Sequence, residues 1–224
     1  MSSRRQGPAS LALGAAPLAD CALCPRLAAF RADNRRVFPD WHNAPVPSFG
    51  AIDAELLVVG LAPGLRGANR TGRPFTGDFA GDLLYRTLSG FGFASGAYGA
   101  DAHDGFTLKN ARITNAVRCV PPENKPTGAE AAACRPFLVA EMAAMPRLKA
   151  VLALGAIAHD AVLAAEGARK AAARFAHGAR HALPSGRVLL DSYHCSRYNT
   201  NTGRLTEAMF AAAVGAARDF LQSR

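Results

Sequence analysis

The chain has 224 residues, half of them hydrophobic, and a formal net charge of +9. That length suits one α/β domain with short appendages, and the apolar content excludes a disordered or fibrous chain. No apolar run approaches the roughly 20 residues that cross a bilayer, so no membrane partner is expected. The positive charge is carried by arginine, with only four lysines (Lys109, Lys125, Lys149 and Lys170). It favours polyanions. Ala-rich stretches point equally to a plain Ala/Arg compositional bias, so charge by itself is a weak argument for nucleic acid.

At the start, Arg4 and Arg5 precede LALGAAPLAD and Cys21. The apolar stretch is short and broken by Gly14 and Pro17, and Asp20 stands where a cleavage site needs a small residue. Residues 1–18 therefore read as a disordered leader, residues 19–224 as a single domain, and the protein as cytoplasmic. An early helix is expected over Leu23–Arg31.

The short apolar runs Glu55–Val59, Arg112–Val117, Ala150–Leu154 and Arg187–Asp191 read as buried parallel strands. Helices are expected over Asp78–Ser89, Gly128–Met145, Ala156–Glu166 and Glu207–Gln222, with Thr127 and Thr206 as N-caps. This alternation predicts an α/β fold with helices on both faces of a four-stranded parallel sheet. Ligands of such sheets bind beyond the carboxyl ends of the strands. Four loops fall there: GLAPGLRGANRTGRPFTGD, RCVPPENKPTG, GAIAH and SYHCSRYNTNTGR. The first is rich in glycine but lacks GK[ST], so it is not a nucleoside-triphosphate loop.

Cys21 and Cys24 form a CxxC, and fourteen residues separate Cys119 from Cys134. Disulfides are not expected in a cytoplasmic chain. Four thiolates suit zinc or an iron–sulfur cluster, and the wide split of the second pair favours the cluster. Buried, unconnected thiols remain the plain alternative. Cys195, beside His194, is the least suited of the five to be a ligand.

GLAPG with GANRTGRPFTGDFAGDLL, ITNAVRC, CALC with Cys119 and Cys134, and YHCSRYNTNTGRLT together span residues 21–206. On these motifs the chain resembles the iron–sulfur uracil-DNA glycosylases, most closely their family 5 branch. The resemblance implies a three-layer α/β/α sandwich around a four-stranded parallel sheet. It also implies a structural [4Fe-4S] cluster on Cys21, Cys24, Cys119 and Cys134. Two departures stand out. The family's His-Pro-Ser reads His194-Cys195-Ser196 here, which removes a rigid proline and introduces a thiol open to redox chemistry. Leu61 stands where uracil-specialised sisters carry a polar residue, which leaves Asp78 as the group to position water.

Excision of a base separates charge, since the sugar becomes oxocarbenium-like and the base leaves as an anion. The nucleotide must first be flipped out of the stack. His194 is expected to donate to the base carbonyl, and Asp78 to orient water or cap the following helix. Asn115 is expected to read the base edge or pair with backbone, and Phe75 to stack on the base or pack in the core. Backbone at Gly60, Leu61, Ala62 and Gly64 is expected to approach the base closely. Arg66, Arg70 and Arg73 are free for phosphates in this reading. Arg197, Tyr198, Asn199 and Arg204 are further DNA contacts, with Tyr198 as a wedge. The base-pocket loops carry no lysine for a Schiff base, so a monofunctional, monomeric enzyme acting on DNA with uracil or other deaminated bases is expected. Two rival readings are a non-catalytic iron–sulfur redox module and a zinc-bearing nucleic-acid binder.

Overall fold

A computed structural model describes residues 16–223. Of the expected leader, residues 1–15 lie outside the described residues. In chain order the elements are α1 (Pro25–Val37), β1 (Leu56–Gly60), α2 (Ala68–Thr71), α3 (Phe79–Gly90), β2 (Ala94–Ser95), β3 (Thr107–Leu108), β4 (Ala111–Asn115), α4 (Gly128–Ala144), β5 (Ala150–Leu154), α5 (Ala156–Ala165), β6 (Arg180–Ala182), β7 (Val188–Ser192), α6 (Arg197–Asn201) and α7 (Glu207–Gln222).

The four apolar runs form strands because both of their faces are covered. Leu56 and Val58 of β1 enter one core with Leu83, Leu84 and Leu88 of α3 and Phe210 and Val214 of α7. Leu57 and Val59 point the other way, into a second core with Leu138 and Met142 of α4 and Val162 and Leu163 of α5. Side chains alternate across a strand, so one apolar run feeds two cores. The result is the expected three-layer α/β/α arrangement.

The sheet has five strands, in the order β4-β1-β5-β7-β6, which corrects the expected four. The first four are mutually parallel, in register from Leu56↔Ala111 and Leu56↔Ala150 to Leu154↔Ser192. β6 lies antiparallel on the edge beside β7, with His181 opposite Leu189. It is three residues long, half-buried at best, and carries no apolar run, so its sequence does not signal a strand. A separate two-stranded ribbon, β2-β3, also escapes sequence reading.

The helix ends obey their caps. The hydroxyl of Thr127 accepts from the N–H of Glu130, whose carboxylate accepts from the N–H of Thr127, giving a full capping box on α4. Thr206 accepts from the N–H of Met209 and Asp78 from that of Gly81. α1 begins at Pro25, favoured in a first turn, and runs on to Val37, six residues beyond the expected end. Its last residues, NRRV, are polar enough to hide the helical period. Among the described residues, no helix is long and apolar enough to cross a membrane.

Candidate active site and cysteine pocket

A cavity of about 610 Å³ opens at the carboxyl ends of the parallel strands. The β1–α3 loop supplies Leu61, Ala62, Pro63, Gly64, Arg66, Phe75, Gly77 and Asp78, the end of β4 supplies Asn115, and the loop after β7 supplies His194, Ser196 and Arg197. Asp78 and His194 thus face one cavity, as expected. Asn124 of the β4–α4 loop also lines it; an Asn in a Pro-rich turn carries no sequence signal that separates lining from turn-making.

Gly60 does not itself line the cavity; it is fixed by crowding against two residues that do. A Cβ there would lie 2.4 Å from Asn115 Oδ1 and 2.5 Å from Phe75 Cζ. Gly67 plays the same part beside Asp78, where a Cβ would approach Oδ2 to 2.4 Å. The glycines that look like a phosphate cradle therefore let backbone close on three side chains that line the cavity.

Phe75 is 6% exposed and adopts φ +53°, an uncommon conformation for an aromatic residue. Its ring stacks beside His194, with centroids 5.8 Å apart and planes 28° off parallel. It is at once a core residue, as one expectation had it, and a wall of the cavity.

His194 has no hydrogen-bond partner on its ring nitrogens among the described residues, and burial holds its pKa down at about 4. The ring is neutral at physiological pH and carries one N–H, free for a ligand. Burial raises the Asp78 carboxyl above its usual range, opposed by the N–H groups of Gly81 and Ala80. Its capping bond at 3.2 Å uses Oδ1, and the residue lines the cavity at the same time.

Asn115 is 3% exposed, and its Oδ1 is buried with no hydrogen-bond partner. An unpaired buried carbonyl costs about 1–3 kcal/mol. At the floor of a cavity, that cost is relieved by a ligand donor. The alternative of pairing with backbone is therefore not the one realised.

Two of the arginine and loop expectations, those for Arg73 and Asn199, need correction. Arg73 is not free for phosphate. It is 4% exposed, makes bonds of 2.8 and 2.7 Å to the two oxygens of Asp104, and is caged by Phe49, Tyr85, Tyr98 and Phe106. Asn199 does not face the cavity; its amide donates to the carbonyl of His194 at 2.8 Å and so holds the His194 loop from behind. Arg204 lies over the ring of Tyr193, 4.7 Å from its centroid, away from the cavity lining. Arg66 and Arg70 are exposed, Arg197 lies over Phe79 at 5.3 Å, and Tyr198 is 72% exposed. Lys125 pairs with Glu123 on the surface, outside the cavity.

Cys195 is fully buried, its thiol donates to the Ala80 carbonyl at 3.5 Å, and burial pushes its pKa far up. A thiol buried this completely is closed off from redox chemistry. The bond ties the His194 loop to the first turn of α3, the turn capped by Asp78, which keeps the loop in place without the rigid proline.

Cys21, Cys24, Cys119 and Cys134 converge on a second, small pocket between α1, the β4–α4 loop and α4, walled by Leu27, Val117 and Phe137. Guanidinium Nη1 of Arg31 lies 3.5 Å from Cys119 Sγ, and the N–H of Arg118 donates to Cys134 Sγ at 3.4 Å. Burial pushes the Cys119 thiol up to about 11 and Cys24 and Cys134 up as well. Thiolates persist in such a pocket only beside strong positive charge, as a metal centre supplies. Among the described residues, no three of these sulfurs lie within 4.8 Å of one another. Tetrahedral zinc, with Zn–S bonds of about 2.3 Å, brings its sulfurs to about 3.8 Å. The four sulfurs and the N–H···S contacts suit a four-thiolate metal centre.

A family model described as the uracil DNA glycosylase superfamily matches residues 47–218. The chain is 48% identical to a type-5 uracil-DNA glycosylase of Thermus thermophilus, over 86% of this chain and 90% of that protein. It is 44% identical to the type-5 enzyme of Mycobacterium leprae, with 87% and 88% covered, and 41% identical to that of Pyrobaculum aerophilum, with 88% and 87% covered.

Proposed function

Because the chain belongs to the uracil DNA glycosylase superfamily, we infer that it is a uracil-DNA glycosylase that removes uracil from DNA by hydrolysis in base excision repair. The observation that carries the mechanism is the meeting of His194, Asp78 and the unpaired amide of Asn115 around one cavity. A flipped nucleotide enters between Phe75 and His194. Asn115 Oδ1 accepts from a ring N–H of the base. As the C1′–N bond breaks, the electron pair leaves with the base, and the N–H of neutral His194 donates to the carbonyl oxygen where negative charge gathers. A neutral donor suits this task because it carries its hydrogen at any pH above about 4. The Asp78 carboxylate faces the developing oxocarbenium, directs a water to C1′ and takes its proton. The products are the free base and an abasic site. With Lys125 on the surface, no lysine among the described residues lines the cavity, so strand cleavage by a Schiff base does not follow.

Cys21, Cys24, Cys119 and Cys134 would hold a [4Fe-4S] cluster, which when bound cross-links α1 to α4 and supplies no step at the sugar. Arg66, Arg70 and Arg197, exposed around the cavity mouth, meet the phosphates, and Tyr198 fills the gap left by the base. The chain from residue 19 onward acts as one cytoplasmic domain, monomeric, on DNA. Hypoxanthine and xanthine are accepted alongside uracil, since the wall at Leu61 carries no polar group that selects one base.

The test is a single reaction series. Oligonucleotides bearing uracil, hypoxanthine or xanthine are incubated with the enzyme, treated with alkali and resolved by size. Strand breaks at uracil only after alkali are expected, and their absence overturns the assignment. Iron and sulfide analysis of the same sample decides the cofactor.

A further inference from the structure

Behind the sheet, away from both pockets, three ligand-type side chains from three elements meet. His159 of α5, Asp191 of β7 and His181 of β6 bring their ligand atoms within 4.8 Å of one another. Nδ1 of His159 lies 2.8 Å from Asp191 Oδ1, and Nε2 of His181 lies 3.0 Å from Asp191 Oδ2. The side chains of His159 and Asp191 are 1% and 0% exposed. Neither the base cavity nor the cysteine pocket includes them.

The second nitrogen of His159 decides what this cluster is built for. Nε2 faces the carbonyl of Ala173 at 3.0 Å. A carbonyl only accepts, so Nε2 carries a hydrogen. In the neutral ring the lone pair of Nδ1 then points at a carboxylate oxygen. Two lone pairs do not attract at 2.8 Å, so a positive particle belongs between them. Metal-binding histidines are oriented in just this way, the far N–H held by a backbone carbonyl and the near nitrogen turned to the ion. The carboxylate is oriented too, since the N–H of Ala176 lies 3.4 Å from Oδ2.

We propose that His159 Nδ1, His181 Nε2 and the Asp191 carboxylate form a second metal site, for a divalent cation of the zinc type. Two imidazoles and one carboxylate are a borderline-soft set that suits zinc and not calcium or magnesium. Tetrahedral zinc with bonds near 2.0–2.2 Å holds its ligands about 3.3 Å apart. The present separations of 2.8 and 3.0 Å need to open by a few tenths of an ångström. β6 is the edge strand, held by β7 alone, and the His181 side chain is 15% exposed, so the opening and the entry path lie on that side. The fourth position, facing solvent past His181, takes a water. Binding releases to solvent the protons that the nitrogens share with the carboxylate. The ion fastens α5 and the edge strand to β7, the strand that ends two residues before His194. The site is independent of the base cavity and of the cysteine cluster.

The test uses the iron-loaded enzyme. It is incubated with zinc, desalted, and its iron and zinc are counted, alongside His181→Ala and Asp191→Asn variants carrying the same iron. About one zinc per chain is expected in the wild type. Both variants lose affinity by more than the roughly 10- to 100-fold that an outer partner is worth. Zinc raises the wild-type Tm, reversibly with a chelator, and leaves that of His181→Ala unmoved. His181 lies at a part-exposed edge, so its variant gives a result even if Asp191→Asn does not fold. Wild-type protein that retains no zinc while keeping its iron overturns the proposal. So do variants that retain as much as the wild type.

Discussion

At Asp78, one carboxylate serves two masters, the helix behind it and the cavity in front. Asp78→Asn keeps the cap, because an amide oxygen accepts from Gly81 as a carboxylate does. The variant is therefore expected to fold with unchanged Tm and to lose about 10²–10⁴ in kcat, as a base does. Burial raises the Asp78 carboxyl above its usual range, so the wild-type rate falls on the acid side at a pH above the ordinary aspartate value. A pH–rate profile of the variant lacks that limb. His194→Ala loses a donor to the leaving anion, expected at about 10²–10³ in kcat with KM little changed. The histidine also shapes stability. Its folded pKa, about 4, lies below the unfolded value near 6.5, so the unfolded chain binds the extra proton first. Its contribution is complete above pH 6.5 and is lost as pH falls toward 4. Denaturant unfolding of His194→Gln across that window shows a shallower loss than the wild type. Asn115→Leu removes the orphaned carbonyl and with it the bond to the base. Its kcat/KM for uracil is expected to drop while Tm holds or rises, since an unpaired buried oxygen is gone.

α4 shows how an element is placed by charge as well as by packing. Glu141 on its inner face accepts from Arg112 at 2.7 Å and from the fully buried Arg118, which also donates to Ser48 at 2.7 Å. The pair joins α4 to β4 and to the residue before Cys119. Glu141→Gln leaves two guanidinium groups with one neutral partner inside the protein, at an expected cost of about 3–5 kcal/mol. A shifted midpoint in denaturant with unchanged slope checks it. The helices and central strands of this sheet are legible in sequence because each carries its own signal: an apolar run, a Thr cap with Glu three residues on, a Pro at the start. β6 and the short α2 and α6 carry none. Three to five residues of mixed polarity become regular only because a neighbouring strand or loop supplies their partners.

Across the whole molecule the charge of +9 does not divide evenly into DNA contacts. Arg73, Arg112 and Arg118 are spent on internal carboxylates, while Arg66 and Arg197 stay exposed at the cavity and Arg70 is exposed nearby, bonded to the Arg66 carbonyl. The salt dependence of DNA binding reads out this division. Arg66→Ala and Arg197→Ala are each expected to reduce the slope of log K against log salt by about 1. Arg73→Ala leaves the slope unchanged and lowers Tm, because what it removes is a buried ion pair. Fluorescence anisotropy with a labelled abasic oligonucleotide over a salt series separates the two classes.

By itself, the amino-acid order determined the sheet's central strands, the rim on which its loops gather, and the local motifs CALC, FTGD and YHC. Each of these follows from local patterning or from a motif whose members stand close together in the chain. Only the tertiary structure decided which arginines face outward, that Cys195 is closed off, that Asn199 braces a backbone carbonyl, and that His159, His181 and Asp191 meet. Burial and partner choice are set by residues dozens of positions apart, and no local period records them.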